Sequence, residues 1–93
     1  MQINIDRLMR SLEAMWQVGA TDNGGVHRLA LTDEDRAARD LLCTWFDEAG
    51  LETRIDDFGN MIGKRTGAQD LPPVIIGSHL DTVPKGGRYD GAL

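Results

Sequence analysis

Two stretches of the chain have the hydrophobic spacing of amphipathic helices. Apolar residues recur at three- and four-residue steps over residues 4–18 and again over residues 33–49. Each stretch follows a residue suited to the N-cap, Asn4 or Thr32, and each is followed by a glycine, a common stop signal. The apolar faces comprise Leu8, Met9, Leu12, Met15 and Trp16 in the first helix and Ala38, Leu41, Leu42, Trp45, Phe46 and Ala49 in the second.

The second half of the chain has the patterns of strands. Residues 52–57 and 61–65 are predicted to form a hairpin, because polar and apolar positions alternate in the first segment and a turn with Gly and Asn separates the two. Residues 74–76 form a β-branched run without polar alternation, which is typical of a central strand covered on both faces. The order helix, helix, hairpin, strand predicts an α/β fold with a mixed sheet.

Two loop features carry further expectations. Asp56 and Asp57 could act as an acid/base pair, but aspartate at a strand-to-turn position commonly accepts hydrogen bonds from its own backbone, so a turn role is favoured. Consecutive glycines, Gly24 and Gly25, predict a loop that uses positive φ or brings its backbone close to another segment.

The candidate chemistry follows the predicted central strand. His79 and Asp81 are two residues apart, so their side chains are expected on one face, at the edge where α/β sheets bind ligands. The glycine-rich turn after Pro84 can return Asp90 toward His79. Imidazole and carboxylate bind Zn²⁺, Mn²⁺ or Co²⁺, and Asp81 is placed to orient the imidazole. The alternative is a strand-end histidine bonded to its neighbours, with Asp90 as a helix cap.

Composition narrows the class of protein. Ninety-three residues make one small domain at most. Fifteen acidic and ten basic residues give a net charge of −5, which argues against a nucleic-acid partner. The single cysteine, Cys43, excludes an internal disulfide and fits a reducing compartment. The N-terminus lacks signal-peptide character, and no apolar run approaches the roughly 20 residues that span a bilayer. We expect a soluble, cytoplasmic protein without a membrane partner.

Several motifs, spread over nearly the whole chain, form a recognisable set. They are Gly77-Ser78-His79-Leu80-Asp81-Thr82-Val83-Pro84, Gly86-Gly87-Arg88-Tyr89-Asp90-Gly91-Ala92-Leu93, Gly24-Gly25-Val26, Leu31-Thr32-Asp33-Glu34-Asp35-Arg36-Ala37-Ala38-Arg39 and Asp57-Phe58-Gly59-Asn60. This set resembles the hydantoinase/carbamoylase family, which comprises N-carbamoyl-L-amino-acid hydrolases, allantoate amidohydrolases and β-ureidopropionase-like enzymes. The family belongs to a superfamily of dinuclear metallohydrolases, and the short link before Asp90 resembles its carbamoylase branch.

The resemblance implies a fold and a site. Residues 1–93 would be the N-terminal portion of a mixed-sheet, zinc-peptidase-like catalytic domain, and the lid and dimerisation domain would be absent from this chain. The intact enzyme would hold two divalent metal ions (Zn, Mn or Co), with His79 as a terminal ligand and Asp90 as the bridging ligand. Asp81 would serve catalysis by orienting the imidazole of His79. The partners implied are a small-molecule ureido or amide substrate and a second copy of the enzyme.

The family's general base and remaining ligands lie further along than residue 93, so the chain is expected to be inactive alone. The intact enzyme would cleave linear C–N bonds of N-carbamoyl-amino acids or allantoate-like substrates. Two alternatives stay open. One is a fragment of an aminoacylase- or dipeptidase-type metallohydrolase. The other is a non-catalytic α/β binding or assembly module in which His79 and Asp90 are structural.

Overall fold

The computed structural model describes residues 2–90. In chain order its elements are α1 (Ile5–Gln17), α2 (Asp33–Glu48), β1 (Glu52–Ile55) and β2 (Met61–Lys64). The chain divides into two compact units, one containing residues 2–38 and 78–90 and the other residues 39–77, so that α2 has residues in both. Both predicted helices and the predicted hairpin are therefore confirmed, with ends within two residues of those expected.

Helix α1 begins and ends where its flanking residues predict. The Asn4 side chain accepts a hydrogen bond from the backbone N–H of Arg7 at 3.1 Å, as an N-cap does. Gly19 follows the helix with φ +88°, and a Cβ there would lie 2.7 Å from the carbonyl oxygen of His27. Only glycine fits both the left-handed backbone and this close approach.

The core of the first unit is small. Among residues 2–90 the buried apolar side chains all lie in this unit: Leu12, Met15, Val26 and Ala38. Two of them come from the predicted apolar face of α1, while Leu8 and Met9 of that face stay about 40% exposed. Two polar residues, Arg28 and Thr82, are buried beside this core. A polar group this deeply buried needs hydrogen-bond partners, and both residues have them.

Helix α2 starts with a reciprocal cap. The Thr32 hydroxyl oxygen accepts from the Asp35 N–H at 3.3 Å, and the Asp35 carboxylate accepts from the Leu31 N–H at 3.0 Å. The exchange satisfies two backbone donors at the helix start. Gly50, with φ +75°, follows the last turn as predicted. Neither helix within residues 2–90 has the length and apolar character needed to cross a membrane.

The second unit is built on the hairpin. Strands β1 and β2 are antiparallel, with Glu52 opposite Lys64, Thr53 opposite Gly63, Arg54 opposite Ile62 and Ile55 opposite Met61. A Cβ at Gly63 would lie 2.9 Å from the Leu51 side chain and 3.0 Å from the Phe46 ring. The end of α2 therefore packs on the hairpin at a position that has room only for glycine.

The hairpin turn is organised by Asp56. Its carboxylate accepts the backbone N–H groups of Phe58 and Asn60 and the Asn60 side-chain amide, each at 2.9 Å. The predicted turn role of Asp56 is confirmed. The side-chain hydrogen bond from Asn60, and then its backbone hydrogen bond, hold the pKa of Asp56 below its ordinary value of 3.8.

The lowered pKa of Asp56 predicts that the turn loosens in acid. A carboxyl whose pKa falls on folding contributes stability above its unfolded pKa, and that stability is lost as the pH falls through the folded pKa. We expect cross-strand nuclear Overhauser effects between Ile55 and Met61 to persist at neutral pH and to weaken below the ordinary value of 3.8. The Asp56→Asn variant should lose this pH dependence. Identical acid profiles for the two proteins would contradict the prediction.

The predicted central strand is wrong for this chain. Residues 72–79 are neither helix nor strand, and Val74, Ile75 and Ile76 are 94%, 85% and 94% exposed. Among residues 2–90 the sheet consists of β1 and β2 alone, so the expected mixed sheet is a single antiparallel hairpin. A strand that is buried on both faces needs neighbouring strands and covering helices. The described part of the chain supplies neither to residues 74–76.

Candidate metal centre

The segment that carries His79 and Asp81 is anchored through its alternate residues. The Leu80 carbonyl accepts from Arg28 Nε at 2.8 Å, and the backbone N–H of Thr82 donates to the Arg28 carbonyl at 2.6 Å. The intervening side chains, His79 and Asp81, are 57% and 47% exposed. Residues 80 and 82 thus attach to the interior of the first unit, and residues 79 and 81 present their side chains to solvent together.

The imidazole of His79 is held by Asp81. Its Nδ1 atom lies 2.8 Å from the Asp81 main-chain oxygen and 3.3 Å from carboxylate Oδ1. Both atoms are acceptors, so this geometry favours a proton on Nδ1 and a lone pair on Nε2. A metal-binding histidine has the same arrangement, with one ring nitrogen for the ion and the other for an acceptor. The main-chain oxygen of Asp81 is the nearer of the two partners.

Asp90 is returned toward the same segment by the glycine turn. Its Oδ2 atom accepts from the backbone N–H of Val83 at 3.3 Å, and its own N–H donates to the Gly87 carbonyl at 3.1 Å. A Cβ at Gly86 would lie 3.0 Å from Oδ2, so the turn passes directly beneath the carboxylate. Within residues 2–90 this hydrogen bond from Val83 engages Oδ2, and an ion would be bound through the other carboxylate oxygen, Oδ1. That His79 and Asp90 hold one ion between them stays a prediction.

The loop that contains Gly24 and Gly25 packs against this turn. Val26 and Gly86 exchange two backbone hydrogen bonds, each 2.9 Å long. A Cβ at Gly25 would lie 2.7 Å from the Gly86 carbonyl oxygen, and Gly24 has φ +85°. The prediction of positive φ and a close backbone approach is therefore confirmed, and the segment approached is the one that leads to Asp90.

Two contacts that support the candidate site were not predicted from the sequence. Arg28 is 1% exposed and bonds to residues more than 50 positions away. The Arg88 guanidinium lies 3.9 Å from the centre of the Trp16 ring, a cation–π contact that links α1 to the turn. The one local indication that Arg28 is buried is its spacing: it lies two residues after the buried Val26, on the same face of an extended segment. Such spacing does not reveal the distant partners.

The other histidine, His27, is an exposed member of the same unit. Its Nδ1 atom lies 2.6 Å from the Pro84 carbonyl oxygen. It lines a shallow surface pocket with Asp22, Lys85 and neighbouring residues. Among residues 2–90 no carboxylate is bonded to this imidazole as Asp81 is to that of His79, which makes His27 a matched control for substitutions of His79.

The donor set fits part of a metal site. His79 Nε2 and Asp90 Oδ1 are a nitrogen and an oxygen donor of the kinds that Zn²⁺, Mn²⁺ and Co²⁺ accept. Within residues 2–90 there is no group of three or more His, Cys, Asp or Glu side chains able to hold an ion. Because zinc takes about four ligands, His79 and Asp90 could supply only part of a complete coordination sphere.

Comparison with known proteins gives a consistent class. No protein-family model matches the chain. The chain is 46% identical over 92 residues to the N-carbamoyl-L-amino-acid amidohydrolase of Pseudomonas sp. (strain NS671), a match that covers 98% of this chain and 22% of that enzyme. It is 48% identical over 82 residues to the allantoate amidohydrolase of Bacillus subtilis (strain 168), covering 87% of this chain and 20% of the relative.

Solved structures agree with the sequence comparison. The structure of a hydantoinase/carbamoylase family amidase from Burkholderia ambifaria superposes with a TM-score of 0.93 at 53% identity, over 97% of this chain and 22% of that one. These relatives are named as amidohydrolases or amidases. The chain belongs to the hydantoinase/carbamoylase family and corresponds to the N-terminal part of its catalytic domain. It spans about a fifth of the length of these relatives.

Proposed function

We propose that this chain is the N-terminal, metal-binding part of an amidohydrolase that cleaves linear ureido C–N bonds. The substrate class is N-carbamoyl-amino acids or allantoate-like compounds, as the names of its relatives suggest. The observation that carries the proposal is the arrangement of His79: its Nδ1 is bonded to Asp81, which leaves Nε2 for an ion. The proposal extends to a cytoplasmic, homodimeric enzyme.

Each residue has a defined part in this proposal. His79 would be a terminal metal ligand, and Asp90, with one oxygen bonded to Val83, would use the other toward the ions. Asp81 keeps the proton of His79 on Nδ1 and fixes the plane of the ring. Two divalent ions, Zn, Mn or Co, would supply Lewis-acid polarisation of the substrate carbonyl and a nucleophile drawn from water. Residues 2–90 bring together too few ligands for a complete metal site, so the chain should be inactive by itself.

The substrate class can be tested on the complete reading frame that contains residues 1–93. The purified protein should hydrolyse an N-carbamoyl-L-amino acid or allantoate faster than the matching N-acetyl-amino acid or dipeptide. A chelator should abolish the activity, and Zn²⁺, Mn²⁺ or Co²⁺ should restore it. Preference for the N-acetyl substrate or the dipeptide would favour an aminoacylase- or dipeptidase-type enzyme instead.

The contribution of this chain can be tested in a chimera, in which residues 1–93 replace the matching segment of the Pseudomonas amidohydrolase. The remaining ligands and the general base then come from a known member of the family. We expect the chimera to bind zinc and to hydrolyse N-carbamoyl-L-amino acids. A folded chimera that binds no metal would contradict the proposal.

A further inference from the structure

Arg28 is a buried cation that ends helix α1. Its side chain is 1% exposed, and its Nη1 atom donates to the carbonyls of Met15 and Val18 at 2.9 and 2.7 Å. Carbonyls at a helix C-terminus lack partners within the helix and carry partial negative charge. Through Nη1, Arg28 therefore donates to one carbonyl in the last turn of α1, that of Met15, and to the carbonyl of the residue just after the helix, Val18.

The other part of the guanidinium reaches the segment of the proposed metal site. Arg28 Nε donates to the Leu80 carbonyl at 2.8 Å, between His79 and Asp81 in the sequence. The Arg28 backbone adds two hydrogen bonds to Thr82, one from its N–H to the threonine Oγ1 at 2.9 Å and one from the Thr82 N–H to its carbonyl at 2.6 Å. Residues 80 and 82 are both fixed to one residue of a different loop.

The charge of Arg28 is placed among carboxylates. Burial lowers the pKa of the guanidinium, and the carboxylates of Asp35, Asp90 and Asp81 act in the opposite direction. Arginine stays protonated in proteins because its ordinary pKa is so high. A permanent positive charge therefore lies among the carboxylates of the first unit.

We infer that Arg28 is a positioning residue of the metal centre: by tying Leu80 and Thr82 to the end of α1, it fixes the outward presentation of His79 and Asp81. The inference rests on the proposed function, since it assigns Arg28 a part in the site that His79 and Asp90 are proposed to form. Arg28 does not contact the ion or the substrate. It acts through the backbone on either side of the imidazole.

The Arg28→Lys variant of the chimera tests the inference. Lysine keeps the charge but lacks the planar fork that reaches separate acceptors. Mutation of a residue that supports a metal ligand from the outer shell typically lowers metal affinity 10- to 100-fold. We expect the zinc dissociation constant of Arg28→Lys to rise by about that factor. The absorption spectrum of the Co²⁺-loaded protein should also change. Arg10→Lys, an exposed substitution within α1, is the matched control.

A second pair of variants keeps the test decisive if Arg28→Lys does not fold. Thr82→Val removes the hydroxyl acceptor of the Arg28 N–H with little change in shape, and Thr82→Ser retains it. We expect weaker zinc binding in the first and near-normal binding in the second. If the variants melt at a lower temperature but keep the zinc dissociation constant and the Co²⁺ spectrum of the parent, the inference about Arg28 is overturned and the proposed function is not. A parent chimera that binds no zinc would overturn the proposed function, and this inference with it.

Discussion

His79→Ala is expected to abolish hydrolysis by the chimera. The imidazole is proposed as a terminal ligand, with its Nδ1 held by Asp81 at 2.8 Å and its Nε2 directed to the ion. Bound metal contributes several kcal/mol of transition-state stabilisation. At about 1.4 kcal/mol for each factor of ten, its loss should lower kcat/KM by roughly a thousandfold or more. Zinc content, measured by mass spectrometry of the dialysed protein, should fall in parallel.

The chain offers close controls for this substitution. His27→Ala removes the other histidine, which is exposed and bonded to the Pro84 carbonyl, and it should leave zinc content and kcat nearly unchanged. Asp90→Asn removes the proposed bridging charge and should match His79→Ala, whereas Asp57→Asn, at the exposed hairpin turn, should match the parent. Equal losses from both histidine variants, or none from either, would contradict the assignment.

Asp81→Asn should have an intermediate effect on metal binding. The main-chain oxygen of Asp81 still accepts from His79 Nδ1 in this variant, since it is the nearer partner. The side-chain partner at 3.3 Å becomes a neutral amide, whose oxygen is a weaker acceptor than a carboxylate. We therefore expect a smaller loss of zinc affinity than in His79→Ala, at the low end of the 10- to 100-fold range for outer partners of a metal ligand.

The second large effect concerns association of the 93-residue chain with itself. Val74, Ile75 and Ile76 are almost fully exposed and consecutive, and no charged residue interrupts the run from Leu71 to Gly77. Exposed β-branched runs without a strand partner pair with other chains. We expect sedimentation velocity to show oligomers at about 100 μM, within the micromolar to millimolar range in which such surfaces associate. Ile75→Lys should yield a monomer.

A matched control separates the run from general surface hydrophobicity. Ile3 is 79% exposed, close to the 85% of Ile75, but it lies outside the run and near the chain start. Ile3→Lys should sediment as the parent does. A parent chain that stays monomeric, or equal behaviour of the two lysine variants, would show that residues 74–76 do not drive association.

Short-range patterns in the sequence were sufficient to predict the two helices and the hairpin. Helix α1 lies between Asn4 and Gly19, and α2 starts at the cap formed by Thr32 and Asp35. These ends could be predicted because capping depends on groups within one turn of each other. The hairpin turn is equally local, since Asp56 bonds to residues two and four positions away. Such elements could be predicted with no knowledge of the remaining chain.

Features that depend on distant residues could not be predicted in the same way. The run from Val74 to Ile76 has the composition of a central strand, yet a strand is defined by its neighbours, and residues 2–90 place none beside it. The hydrogen bonds of Arg28 to Leu80 and Thr82 join residues 52 and 54 positions apart. Composition and periodicity carry no information about which loop a buried arginine will meet.

The candidate site was predictable as a set of residues but not as a geometry. Two-residue spacing placed His79 and Asp81 together, and the glycines between Pro84 and Asp90 indicated a tight return. The supporting contacts come from elsewhere, from the exchange between Val26 and Gly86 and from Arg28 beneath the segment. These parts depend on packing within the first unit, which no single motif encodes.

The central claim is that the imidazole at position 79 and the carboxylate at position 90 hold one ion between them. A crystal of the zinc-loaded chimera, with data collected on both sides of the zinc absorption edge, tests this directly. We expect an anomalous peak about 2.0–2.2 Å from Nε2 of His79 and from an oxygen of Asp90. A peak that touches neither residue, or side chains too far apart to share an ion, would contradict it.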